Sequence, residues 1–312
     1  MMLDTVIFKL TRTEAEGVDF LSEITPYLNL DGLCVRQYNW GDCVTGDVEG
    51  LNVSVCPNQV RVNGSICKWM LGDNYQTLRR GGVKRAVERL SDTLHLPMER
   101  AIITRLDVGL SIVVREPIAN YFNHLGVLKY AQRLQQPNSL YYHQQAERLC
   151  FYDKNREQRD HREPIPEIYR DANVLRYEQR YMARLPQLLG EAQVTAAMLY
   201  DERFYISLLN RWRDAYQAIR KVNEITLNFQ AMKTKRDLQK MGILVLVEQW
   251  GGELATIAHI NEAQKRGELT AKQAFDLRQG IKDACKVKYG LTAPSAAIGE
   301  LDKKISEAIN LY

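Results

Sequence analysis

Hydrophobic and polar positions alternate from the start of the chain, and in Leu3 to Leu10 this period of two puts Val6, Phe8 and Leu10 on one side of a strand. Thr13 and Glu16 follow in capping-box spacing before Val18, Leu21 and Ile24, which predicts a helix ended by Pro26. Leu33 to Trp40, Leu51 to Cys56 and Gln59 to Val62 read as strands, with Pro57-Asn58 as a hairpin turn between the last two. Ser65 to Leu71 is expected to continue extended into the loop Gly72-Asp73-Asn74. Beyond it Val83, Val87, Leu90 and Leu94 fall at helical spacing, and Arg79, Arg80, Lys84, Arg85 and Arg89 occupy the approach and the other faces.

In Ile102 to Val114 the alternation puts Ile102, Thr104, Leu106, Val108, Leu110, Ile112 and Val114 on the core face and leaves Arg105, Asp107, Gly109 and Ser111 on the other. A glycine in mid-strand costs stability, so Gly109 points to a bulge or to the close approach of another backbone or a ligand beside Asp107. Pro117 to Tyr130 is expected to be helical. Ser139 to Tyr142 and Arg148 to Asp153 read as a hairpin. After a polar loop from Asn155 to Asn173, Val174 to Tyr181 reads as a strand with Arg176, Glu178 and Arg180 on one face and Tyr177 and Tyr181 on the other.

Past Pro186 and Gly190 the patterns turn helical through residue 312, with Ile243 to Val247 ambiguous. Thr270 and Gln273 make a second capping box, and Ser295 stands as the cap of a last helix with Ile298, Leu301, Ile305 and Ile309 inward. The expected fold class is α+β. Residues 1–188 would form a mainly antiparallel sheet domain with flanking helices, and residues 189–312 an all-helical domain.

Composition changes this picture little: 45% hydrophobic and 26% charged residues suit a soluble globular chain of 312 residues. The opening residues do not read as a signal peptide and no run approaches the roughly 18 apolar residues of a membrane span, so a cytoplasmic location with no membrane partner is expected. Six cysteines without Cys-x-x-Cys spacing imply neither a disulfide framework nor a zinc site. The net charge of +4 is mild for a nucleic-acid binder, but the basic residues are clustered.

If the three segments are neighbouring strands, Arg105, Asp107, Tyr152, Arg176 and Glu178 would share one face, with Glu157 just after the second strand. Carboxylates gathered in this way favour a bound cation, and oxygen ligands suit Mg²⁺ or Mn²⁺. A phenol of pKa about 10 is a poor nucleophile unless activated, so a metal beside Tyr152 would have a use. Attack on a DNA phosphate would leave a 5′-phosphotyrosine and a free 3′-hydroxyl, with the arginines stabilising the phosphate charge and Lys154 assisting the phosphate or the leaving group. The competing reading of the same residues is a surface ladder of cross-strand ion pairs.

Four motifs in order resemble the replication initiators of phages and plasmids related to the filamentous-phage gene II protein, which are rolling-circle endonucleases. They are the lysine and Gly-x-Asn step of Lys68, Gly72 and Asn74, the strand Thr104-Arg105-Leu106-Asp107, Tyr152 to Glu157, and Leu175-Arg176-Tyr177-Glu178, with the resemblance running from Leu3-Asp4-Thr5-Val6-Ile7 to about Gly190. The resemblance implies origin nicking through a tyrosyl-DNA intermediate, with origin DNA, single-stranded or supercoiled, as substrate and host helicase and polymerase as partners. In that pattern the nucleophile falls on Tyr152, and Tyr141 or Tyr142 occupies the position used by related initiators and relaxases on the preceding strand, with Tyr141 as the second choice. None of His95, His124, His143, His161 and His259 lies two residues from another, so the His-hydrophobe-His metal pair of a wider nuclease class is absent and the metal would rest on Asp107, Glu178 and Glu157.

The resemblance fades in the helical part, where Arg203, Arg211, Arg213, Arg220 and Lys221 lie among Phe204, Tyr205, Trp212 and Tyr216. Arginines interleaved with aromatics can track a phosphate backbone, although aromatics at this spacing also make a core. Arg79, Arg80, Lys84 and Arg85 are the other candidate DNA contacts, against a solvated helix face. The helical part would serve origin recognition or assembly into a homodimer. A mobilisation relaxase shares the chemistry, whereas a non-cutting origin-binding regulator or a structural partner in an assembly would not need Tyr152.

Overall fold

The computed structural model describes residues 2–38, 41–76, 78–225, 232–286, 292–293 and 295–310. Ten strands form one antiparallel sheet: β1 (Met2–Thr11), β2 (Asn29–Tyr38), β3 (Gly41–Val48), β4 (Leu51–Cys56), β5 (Gln59–Ser65), β6 (Ile102–Val114), β7 (Gln132–Gln136), β8 (Ser139–His143), β9 (Glu147–Asp153) and β10 (Asn173–Tyr181). Their order across the sheet is β2-β3-β4-β5-β1-β6-β10-β9-β8-β7. Helices α1 (Phe20–Ile24), α2 (Ile66–Leu71), α3 (Arg80–Leu94) and α4 (Ile118–His124) share a core with the sheet's apolar residues. Further along come α5 (Lys154–Asp160), α6 (Leu185–Leu189), α7 (Glu202–Gln217), α8 (Lys235–Gln249), α9 (Glu253–Lys265), α10 (Ala271–Cys285) and α11 (Ala296–Asn310), with a two-strand pair β11 (Glu224–Ile225) and β12 (Thr292–Ala293).

Val6, Phe8 and Leu10 are buried as the alternation requires, and α3 buries Val83, Val87, Leu90 and Leu94 against the same core. The core continues past residue 190: α7 contributes Phe204, Tyr205, Leu208, Leu209, Trp212 and Tyr216, and α11 contributes Ile298, Leu301 and Ile305. A smaller cluster of Met232, Met241, Leu244 and Ala284 holds α8 to α10. The ambiguous Ile243 to Val247 is helical, and the Thr270–Gln273 capping box forms as expected. Among the described residues no helix is long and apolar enough to cross a membrane.

Several local expectations are corrected. Thr13 and Glu16 do not cap a helix: residues 12–17 form a turn, Glu16 takes a φ of 56°, and the helix begins only at Phe20. Ser65 to Leu71 is not extended, because the Ser65 hydroxyl accepts the Lys68 amide at 3.1 Å and so caps α2, which Gly72 ends in the left-handed region. The helix in Pro117 to Tyr130 is confined to α4, and the loop from Asn155 hides α5, capped where the Asp153 carboxylate accepts the Arg156 amide at 2.9 Å. Strands β3 and β7 were not legible, and Trp40, expected to end a strand, lies outside the described residues. One disulfide, Cys43–Cys56, joins β3 to β4, a pairing set by the sheet register rather than by spacing along the chain.

Two irregularities shape the polar face. The pairing of β1 with β6 runs Ile7 to Arg105 and then Phe8 to Ile103, so Thr104 is the extra residue and Ile103, not Ile102, turns into the core. Between Leu3 and Val6 the extra residue is on β1, so both of these point inward and Asp4 is left on the polar side.

Candidate active site

Strand β10 lies between β6 and β9, which makes neighbours of the three segments that carry the candidate residues. Arg176 stands opposite Tyr152 on β9 and Ser111 on β6, Glu178 opposite Gly109, and Arg180 opposite Asp107. Residues directly opposite in an antiparallel pair share a face, so the period of two in each strand becomes one cluster.

Arg176 is the hub of that cluster. Its buried guanidinium lies 2.6 Å from Asp4 and 2.9 Å from Glu178, and donates to the Asn74 carbonyl at 2.8 Å and the Ser111 hydroxyl at 3.1 Å. Glu178 also accepts the Tyr152 hydroxyl at 2.9 Å and two bonds from Arg180 at 2.8 and 2.6 Å. Arg180 is 3.8 Å from Asp107, whose oxygens accept two bonds from Arg105 at 3.0 and 2.7 Å. Acid and base therefore alternate along Asp4, Arg176, Glu178, Arg180, Asp107 and Arg105, so each buried charge is compensated by its neighbour.

Gly109 belongs to the same construction. A Cβ there would stand 2.6 Å from Glu178 Cγ and 2.9 Å from the Tyr177 carbonyl, so the missing side chain is the space that the Glu178 and Arg176 side chains use. The close approach expected beside Asp107 is thus made by side chains and backbone of β10.

Electrostatics follow the geometry. Burial works to raise the Glu178 carboxyl, but Arg176 and Arg180 hold it down at about 2. Burial, with the Glu178 charge beside it, pushes the Tyr152 phenol well above its ordinary value, so Tyr152 rests as a neutral donor. Asp107 is raised by burial despite its bonds from Arg105.

Tyr152 and Tyr141 line one cleft of about 390 Å³ together with Asp153, Arg156, Glu157, Asp160, His161 and Arg180. Tyr152 is 9% exposed and tied to Glu178, whereas Tyr141 is half-buried, its ring 5.9 Å from that of His143. Lys154 is fully buried with its ammonium on Glu157 at 2.6 Å, and burial lowers its pKa. Behind it the Tyr75 hydroxyl donates to the Asn155 side-chain amide oxygen at 2.7 Å, while Lys68 meets Glu163 at 2.5 Å. The four motifs thus converge: Asn74 donates to Asp4 at 3.1 Å and its carbonyl receives Arg176.

The other basic candidates do not line this cleft. Arg80 faces Glu202 at 3.6 Å, Lys84 faces Glu88 at 3.7 Å, Arg85 is exposed on α3, and Arg79 precedes that helix as its cap residue. Arg211 donates to the carbonyls of Leu188 and Leu189 at the end of α6, and Arg213 pairs with Asp214. The aromatics between them are core.

Carboxylate oxygens are the right donors for Mg²⁺ or Mn²⁺, but their arrangement does not fit a metal centre. Both oxygens of Glu178 and of Asp107 are engaged by guanidinium groups or the Tyr152 phenol, and Glu157 is turned to Lys154 and Gln158. Among the described residues no group of three His, Cys, Asp or Glu side chains is placed to hold a metal ion.

Asp4, Asn74 and Arg180 are the site residues that sequence reasoning left without a role. Alternation already sets Arg180 on the face of Glu178, but its bridge to Asp107 depends on strand register, as does the reach of Asp4 to Arg176 across β6.

No individually curated protein matches the chain significantly. The family model for the N-terminal region of the replication-associated gene II protein matches residues 2–212, a segment that holds the whole ten-stranded sheet and ends within α7. The chain therefore belongs to this family of phage-type replication-associated proteins.

Proposed function

We propose that the protein initiates rolling-circle replication by nicking and rejoining origin DNA through Tyr152. The observation that carries this reading is the bond from the hydroxyl of Tyr152, at the wall of an open cleft, to Glu178, a buried carboxylate gripped by two arginines. At rest Glu178 is too weak a base to take the phenolic proton. A DNA phosphate in the cleft competes for Arg180, whose side chain is one quarter exposed, and each bond withdrawn from Glu178 raises its basicity. The proton then passes to Glu178 as the phenol oxygen attacks phosphorus. The bond from phosphorus to the 3′ oxygen breaks, and that oxygen takes a proton from water. The product is a 5′-phosphotyrosine and a 3′-hydroxyl, and rejoining is the reverse. Arg180 stabilises charge on the non-bridging oxygens, Arg176 holds Glu178, Arg105 holds Asp107, and Lys154 fixes Glu157 at the cleft wall.

The test is nicking of supercoiled and single-stranded origin DNA, with Mg²⁺, with Mn²⁺ and with chelator, by wild type, Tyr152→Phe and Tyr141→Phe. The expected result is a covalent adduct abolished by Tyr152→Phe alone. Loss with Tyr141→Phe alone moves the nucleophile to β8, and DNA that is bound but uncut under every condition replaces the enzyme with a non-cutting regulator.

A further inference from the structure

The polar face that holds Tyr152 continues across the other half of the sheet. In register, Arg105 leads to Ile7, Asn63 and Asn52, and the next row runs Lys9, Arg61, Ser54, Thr45 and Cys34. These two rows border a cleft of about 450 Å³ lined by Ile7, Cys34, Arg36, Thr45, Asn52, Ser54, Arg61 and Asn63. It contains two arginines, four neutral hydrogen-bonding side chains and no carboxylate. The acid of this face on β3, Asp47, accepts the Gly50 amide at 2.9 Å and does not line the cleft.

Only part of the hydrogen-bonding capacity of this cleft is used within the fold: Thr45 bonds Ser54, and Arg36 bonds Tyr38 and Cys34. The side chains of Lys9, Asn52, Arg61 and Asn63 have no hydrogen-bond or ion-pair partner among the described residues. Arg61, Asn52, Asn63 and Arg36 are exposed, although strands β4 and β5 bury every alternate residue on the other side. Nothing among the described residues needs Arg61 there. A ligand bearing negative charge and hydrogen-bonding edges does.

We infer that the cleft over β1 and β3 to β5 binds single-stranded DNA running on from the tyrosine site. It rests on the nicking reading for which strand arrives, but not for the contact itself. Strands lie about 4.8 Å apart and Arg61 on β5 stands one row along from Arg105 on β6, so the two are roughly 12 Å apart over the sheet, a spacing that one extended backbone can bridge. Arginines on phosphates with asparagines free for base edges make a site for one strand whose bases are accessible.

The probe is a labelled single-stranded oligodeoxynucleotide, with its duplex for comparison, titrated at several salt concentrations against full-length wild type, Arg61→Ala, Arg36→Ala and Arg61→Glu. Arg115→Ala, an exposed arginine outside both clefts, serves as the control. Each arginine removed should weaken single-strand binding and reduce the slope of log K against log salt by about 0.7, with a larger loss for Arg61→Glu. Unchanged affinity and slope in all three variants overturn the site, and an equal loss for duplex overturns the single-strand assignment. Adduct formation by wild type is read separately on a denaturing gel. Its absence would end the nicking reading and leave the cleft to be judged by the titration.

Discussion

One sheet face carries its polar groups in two ways. Across β6, β10 and β9 the charges are buried and compensated, from Asp4 through Arg176, Glu178, Arg180 and Asp107 to Arg105. Across β1 and β3 to β5 the residues at equivalent positions are half-buried or exposed, and Lys9, Asn52, Arg61 and Asn63 have no partner among the described residues. Paired charge in a dry site fixes geometry and resists rearrangement, whereas unpaired charge on a wet surface adds little to stability and is free to meet a ligand. The first arrangement suits a residue that must be aimed, and the second suits a strand that must be held.

Removing the hub should break the comparison most sharply. Arg176→Met leaves Asp4 and Glu178 buried without their shared partner and is expected to cost about 3–5 kcal/mol in urea unfolding. A loss no larger than that of a surface arginine would mean that the row is not a compensated unit. Gly109→Ala should cost about 1–3 kcal/mol, because the new methyl meets the Tyr177 carbonyl, which cannot swing away as a side chain can.

Acid sharpens the contrast further. The Glu178 carboxyl is held at about 2 against an ordinary 4.5, so its contribution to stability is present above about 4.5 and lost as pH falls toward 2. Wild type should therefore lose stability across that window more steeply than Glu178→Gln, and parallel curves would contradict the assigned ion pairs. At the small end, Arg61→Ala should change stability by no more than about 0.5 kcal/mol, read as an unchanged urea midpoint.

Much of this face was legible because β-strand alternation is strict. The period of two alone put Arg176, Glu178 and Arg180 together and set Arg105 beside Asp107, and the mid-strand glycine announced a close approach. Where the period slips by one residue the reading fails, as with Ile102 and Ile103 around the extra Thr104. Short helices were lost because a single cap decides them: Ser65 and Asp153 each turn a polar strand end into a helix start. Strand β7, Gln132 to Gln136, is nearly all polar and has no apolar face to announce it. The partners that come from other strands, Asp4 for Arg176 and Arg180 for Asp107, could not be read, since sheet order alone brings them together.

The most direct test of Tyr152 as the aimed residue is to locate the covalent bond itself. Wild type would be incubated with single-stranded origin DNA, the adduct digested with nuclease and protease, and the nucleotide-bearing peptide sequenced by mass spectrometry. The nucleotide is expected on Tyr152, within the segment that continues into Asp153 and Lys154. A nucleotide on Tyr141, or on any residue outside the Glu178 cluster, would contradict it.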